Sequence, residues 1–238
     1  MKSKLSFKRL ILLMIIISLC TYALHYAIFR DAHHIFIFFV HDIAFLPLEV
    51  ILVSLVFERL IERAEKGSAM QKSHMIESVF FSESGSDMLR YLVSLDRRRD
   101  ELQSRICPDE SWREADFASV RQFTASRGFD VRAEDIDFYA LHYHLSTRHS
   151  YFLKVIENPA LMEKDRFTDL ILEIYHLWEE LNVYDNLYEL STIDRAALAV
   201  TVNSIYRLLT EEWLDNAEYL ICNQKYRVGS MMRSNPFI

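Results

Sequence analysis

Two apolar runs, Leu10–Phe29 and Ile35–Phe57, lie close together near the N-terminus with only the polar turn Arg30–His34 between them. The first supplies about 20 residues, enough at roughly 1.5 Å per residue to cross a hydrocarbon core about 30 Å thick. The second is slightly longer and carries His41, Asp42, Pro47 and Glu49. Such a pair predicts a two-helix transmembrane hairpin with spans at about 10–29 and 35–57. Lys2, Lys4, Lys8 and Arg9 precede the first run, and Arg59, Arg63, Lys66 and Lys72 follow the second, whereas Arg30 between them is cancelled by Asp31. Positively charged flanks stay inside, so both termini are expected in the cytoplasm of a multi-pass inner-membrane protein. The first run is too long for a signal-peptide core and no small-x-small site follows it, so an uncleaved segment is expected.

Charge separates the remainder. The chain carries −7 overall. Residues up to Lys66 hold eight Lys/Arg against six Asp/Glu, a net +2, which leaves −9 on the 67–238 part. That length suits one sizeable domain with its own core. An acidic domain without a basic stripe is a poor nucleic-acid binder, and none is expected as a partner. The lipid bilayer, a second copy of the chain and a cytoplasmic protein are the expected partners. Cys20, Cys107 and Cys222 form no CxxC and no disulfide framework, so each reads as a small apolar filler in a reducing compartment.

Only four Gly and four Pro occur in 238 residues, and β-branched alternation is scarce, so the 67–238 part reads as a cytoplasmic multi-helix bundle in an all-α chain. The clearest period is Phe167, Leu170, Ile171, Ile174, Tyr175, Trp178 and Leu181, one apolar stripe on a helix from Lys164. Ser191 with Asp194 resembles a capping box opening a helix of about 30 residues through Leu198, Val202, Ile205, Leu209, Trp213 and Leu220, long enough to be the spine of the bundle. Asp109 or Ser111 should cap a helix ending at Arg127 with Gly128 after it. Further helices are expected over Met70–Glu83 and Ser86–Arg105, meeting at Gly85, and over Ala133–Asn158, stopped by Pro159. Glu58–Lys66 continues the second span as a charged helix.

Candidate chemistry is sparse. Asp42 and Glu49 are seven residues apart and share a helix face to within about 20°. An ionised acid near mid-bilayer costs about 2.5–3.5 kcal/mol, so Glu49 is expected to be protonated, bonded to the first span or in contact with another subunit. His41 and Asp42 lie nearer the outer face. Pro47 frees the Ile43 carbonyl for another donor. Phe138, Leu141, His142, Leu145, His149, Phe152 and Ile156 make one stripe, which places His142 and His149 as candidate buried histidines, bonded and neutral. Glu173-x-x-His176 matches half of a di-iron ligand set, but no second such pair occurs and His176 falls on the polar face. With no GxSxG, HExxH or Gly-rich phosphate loop, no catalytic, cofactor-binding or metal residue is nominated, and no cofactor is expected.

Four blocks in order are HDIAFLPLEVILVSLVFERLIERAEK, MIESVFFSESGSDMLRYL, FTDLILEIYHLWEEL and EEWLDNAEYLICNQKYRVGSMMRSNPF. Together they resemble an uncharacterised prokaryotic family of two-span membrane proteins with a cytoplasmic helical domain. FFSESG and RSNPF are the more specific parts. Family members tend to carry an aromatic Tyr-Pro segment where this chain has Lys225–Ser230. The resemblance implies the architecture and brings no activity. The expected function is therefore a non-enzymatic, membrane-anchored interaction or sensory scaffold. An oligomeric ion channel or ion-responsive protein using Asp42 and Glu49 is the alternative, and a His/carboxylate metal-binding bundle the third.

Overall fold

The computed structural model describes residues 2–159 and 164–238, and every regular element among them is helical. It divides into two compact units, Met1–Ala64 and Glu65–Ile238.

The first unit holds α1 (Lys2–Phe29) and the beginning of α2 (Ala32–Phe80). The turn is shorter than the sequence suggests, because Ala32–His34 already belong to α2. Asp31 Oδ1 accepts the His34 N–H at 3.1 Å and so caps the helix. Arg30 reverses the chain at φ 49°, the left-handed region that costs a non-glycine residue about 1 kcal/mol, while its N–H bonds the Tyr26 carbonyl. Side chains from Leu10 to Ile17 stay 44–61% exposed, and those of Phe36–Val40 and Val50–Phe57 are equally uncovered. Pro47 stays inside α2.

The second unit closes a core. α8 (Thr192–Asn223) buries fifteen side chains over about two-thirds of its circumference, among them Leu198, Val202, Ile205, Leu209, Trp213 and Leu220, and is the central element. Its start follows the Ser191 signal with one difference. The Ser191 hydroxyl accepts the Asp194 N–H at 3.1 Å and donates to the Asp194 carboxylate at 2.6 Å, so Asp194 closes on the side chain and not on the Ser191 backbone. α7 (Asp165–Asn182) buries Phe167, Leu170, Ile171, Ile174, Leu177 and Leu181, with Tyr175 and Trp178 only half-buried at the edge of the stripe.

Several expected boundaries move, each for a visible reason. α2 runs through Gly67, since one helical glycine costs only about 1 kcal/mol. Gly85 does not break the chain either. Phe81–Gly85 form a π-helical turn that leads into α3 (Ser86–Leu95). The predicted Ser86–Arg105 helix divides at Asp96–Arg98, and α4 spans Arg99–Arg105. The Asp96 carboxylate accepts the Arg98 N–H at 2.8 Å and takes two 2.8 Å bonds from Arg127, both side chains being buried. α5 (Glu114–Arg127) starts later than Asp109 or Ser111, because Asp109 instead accepts the N–H and hydroxyl of Ser111 in a turn, and Asp116 caps the Arg113 N–H. Gly128 ends it at φ 68°. α6 is Phe138–Ile156 rather than Ala133–Asn158: Asp137 caps Ala140, and Arg195 holds the Ala133 and Ile136 carbonyls in a turn. Last comes α9 (Lys225–Arg233), after which Asn235, Pro236 and Phe237 are buried, Phe237 against Trp213 at 5.3 Å and Asn235 donating to the Ile106 carbonyl. The three cysteines are exposed and do not fill the core.

Candidate functional site

Among the residues singled out in the sequence, Asp42 lines a cavity of about 440 Å³ in the first unit with Ser18, Thr21, Tyr22, His25, Ile35 and Phe38. The four α1 residues were not foreseen; their polar types at i, i+3, i+4 and i+7 are the signal for a shared face. His25 Nδ1 is buried there without a partner among the described residues. His41 lies 3.8 Å from Asp42, both exposed. Glu49 does not line this cavity, and of its three expected states the bond to α1 is not formed among the described residues.

The histidines of α6 sit at the edge of the core and not inside it. His142 Nε2 is 2.9 Å from Asn182 Oδ1, and His149 stacks on Trp178 at 3.8 Å with its Nε2 buried. They do not converge on a common ligand. His176 is exposed, on the polar face of α7 as expected, and no three His, Cys, Asp or Glu side chains among the described residues are arranged to hold a metal.

A different cluster holds the strongest electrostatics. Glu77 and Glu212 are fully buried acids on α2 and α8, joined by one ammonium, Lys164 at the start of α7. Lys164 Nζ donates to Glu77 Oε2 at 2.5 Å and lies 3.8 Å from Glu212 Oε2. Arg166 Nε reaches Glu212 Oε1 at 3.2 Å and its Nη2 bonds Asp215. Arg121 donates to Asp215 at 2.7 Å and Glu218 at 2.5 Å. His74 stands 3.3 Å from Glu77 and stacks on Tyr219 at 4.0 Å. Glu77 Oε1, Glu212 Oε2 and the Ser73 hydroxyl are buried without hydrogen-bond partners among the described residues. A cavity of about 280 Å³ opens beside Lys164, Arg166, Glu212 and Asp215.

Burial, then the neighbouring Glu77 charge, raise the Glu212 pKa to about 7, with Lys164 and Arg166 opposing. Because this folded value exceeds the ordinary 4.5, the folded state binds the proton more tightly. The associated stability is complete below pH about 4.5 and is lost as pH rises through 7. A shift of that size corresponds to about 3 kcal/mol. Glu212→Gln should flatten the pH dependence of the urea midpoint across this window relative to the native chain; parallel profiles would refute the assignment. Sequence reasoning missed the cluster because it joins three elements. The available signal was Glu212, Asp215 and Glu218 at three-residue spacing, of which Glu212 falls within the apolar arc of its helix.

Two family models match: "MJ1433, N-terminal helical domain" over residues 2–61 and "Uncharacterized protein MJ1433, C-terminal helical domain" over residues 69–232. The curated Uncharacterized protein MJ1433 of Methanocaldococcus jannaschii is 30% identical over 226 residues, covering 94% of this chain and 90% of its own. No solved structure matches the chain.

Proposed function

The chain belongs to the MJ1433 family, and on that premise we propose that it is a non-enzymatic, membrane-anchored sensory scaffold. In this reading α1 and the first part of α2 cross the inner membrane, both termini are cytoplasmic, and the acidic helical unit is presented to protein partners. One observation carries it. The apolar side chains of α1 from Leu10 onward, and of α2 as far as Ile61, are uncovered, a surface far larger than the few hundred Å² tolerated in water. The buried Glu77–Lys164–Glu212 group supports the sensory part, because its net charge changes near neutrality inside a packed core.

After cell disruption the full-length protein should remain with membranes through an alkaline carbonate wash. A C-terminal tag should resist protease added to intact cells and be cleaved once the membrane is opened. Recovery in the soluble fraction, or cleavage from outside, would refute the anchor. Cross-linking in native membranes tests self-association.

The polar cavity around Asp42 favours an oligomeric ion pathway as the second reading. It requires that Asp42→Asn abolish ion flux in proteoliposomes while leaving assembly unchanged.

A further inference from the structure

The blocks FFSESG and RSNPF, far apart in sequence, contribute to one cavity in the helical unit. Ser78, Ser82 and Ser86 line one wall at four-residue spacing as α2 passes through the π-turn into α3. Arg227, Ser230 and Ser234 line the opposite wall from α9 and the residue after it, Trp213, Asn216 and Leu220 of α8 complete the lining, and the exposed Ser82, Ser230 and Ser234 mark its open side. π-turns are rare, and they are frequent at functional sites.

Two groups facing this space, on Arg227 and Asn216, are donors without acceptors among the described residues, and the rest are serine hydroxyls that donate or accept. Asn216 is 4% exposed. Its Oδ1 accepts the Ser78 hydroxyl at 2.6 Å, which leaves the Nδ2 amide without an acceptor among the described residues. The half-buried Arg227 guanidinium makes no ion pair and no hydrogen bond among the described residues. The Ser82, Ser86 and Ser230 hydroxyls are likewise unengaged among them, while Ser234 Oγ donates to the Ser230 and Met231 carbonyls. None of the described residues lining the cavity is a carboxylate, although the sequence after Lys66 carries −9. A lining without carboxylates that presents a guanidinium and an amide N–H, neither with an acceptor among the described residues, favours an anion. The volume, about 80 Å³, exceeds the roughly 10–15 Å³ a single water needs and limits the occupant to a small group.

We propose that this cavity binds a phosphate-class oxyanion, held by the Arg227 guanidinium and the Asn216 amide, with serine hydroxyls completing its coordination. Four oxygens around one centre match donors arriving from three walls, and a planar guanidinium pairs well with two of them. The group comes either from free inorganic phosphate or from the exposed monoester of a phosphatidic acid headgroup. The site stands independently of the membrane reading, since every lining residue belongs to the second unit.

Thermal unfolding of the full-length protein in mild detergent decides it, with Trp fluorescence as readout and sodium chloride at matched ionic strength as reference. Inorganic phosphate at tenfold over its dissociation constant should raise the midpoint by about 3–6 °C. Arg227→Gln should weaken binding by about ten- to a hundredfold, the loss expected for a charge-assisted contact. Lys225→Gln, an exposed charge on the same helix, should leave the response intact. A short-chain phosphatidic acid that stabilises where inorganic phosphate does not would identify the headgroup as the source. If neither ligand shifts the midpoint beyond the chloride reference, or if Arg227→Gln responds like the native chain, the assignment is overturned.

Discussion

Lys164→Met should lower the stability of the helical unit by about 3–5 kcal/mol at pH 8, the usual result of stripping a buried charge of its partner. Lys164 bonds Glu77, whose side chain is wholly buried, and it is also the ammonium nearest Glu212 Oε2. Methionine keeps the volume of the stem, so packing changes little and the effect reports charge. Two carboxylates would then face each other in the core, with His74 beside one and Arg166 beside the other. Two further results should accompany the loss. The deficit should shrink as pH falls, because protonated acids no longer need the ammonium. Glu77→Gln in the Lys164→Met background should restore at least half of the stability, since it removes the charge left without a counterion. Trp213 is buried in the core and reports unfolding by fluorescence in urea. A loss below about 1 kcal/mol, within the range of ordinary surface pairs, would mean that solvent screens the cluster and that it cannot act as a charge-sensitive element.

The same cluster shows where sequence reading stops. The α7 and α8 stripes were legible because each reports burial through its own periodicity, and Phe167, Ile171, Leu198 and Trp213 are buried as expected. The Gly128 stop and the Ser191 start were legible because a cap is a local event. Asp96 was not, because what ends α3 there is a bond to Arg127, whose position depends on how α5 packs. Glu77 and Lys164 are 87 residues apart, and neither carries a local mark of its burial. His142 and His149 follow the right period, but their stripe is wider than the surface α6 covers, which leaves them on its margin. Ser82 and Ser86 read as helix polarity alone. Their common role depends on α9 arriving opposite them.

Gly85 provides the second large effect and explains why FFSESG ends in glycine. Its backbone is ordinary helix, φ −60° and ψ −40°, so conformational freedom is not what the position requires. Space is. A Cβ there would stand 2.5 Å from Phe80 Cε1 and 2.8 Å from Phe81 Cδ1. Neither ring can withdraw: both are buried, and Phe80 packs edge-on against Phe81 at 5.2 Å and Phe167 at 5.5 Å. Two terms compete in Gly85→Ala. Helix propensity favours alanine by about 1 kcal/mol, while overpacking a closed core costs about 1–3 kcal/mol and sometimes more. Contacts this short, on rings held from several sides, place the substitution at the upper end, so a net loss of about 2–3 kcal/mol is expected. Gly67 supplies the internal control. It lies inside α2, and a methyl group added there would meet nothing within 4 Å, so Gly67→Ala should leave the urea midpoint unchanged or raise it. Opposite signs at two helical glycines would establish that the π-turn is held by ring packing around Gly85. Equal effects would place the requirement in the backbone, and the wall formed by Ser82 and Ser86 would then need another explanation.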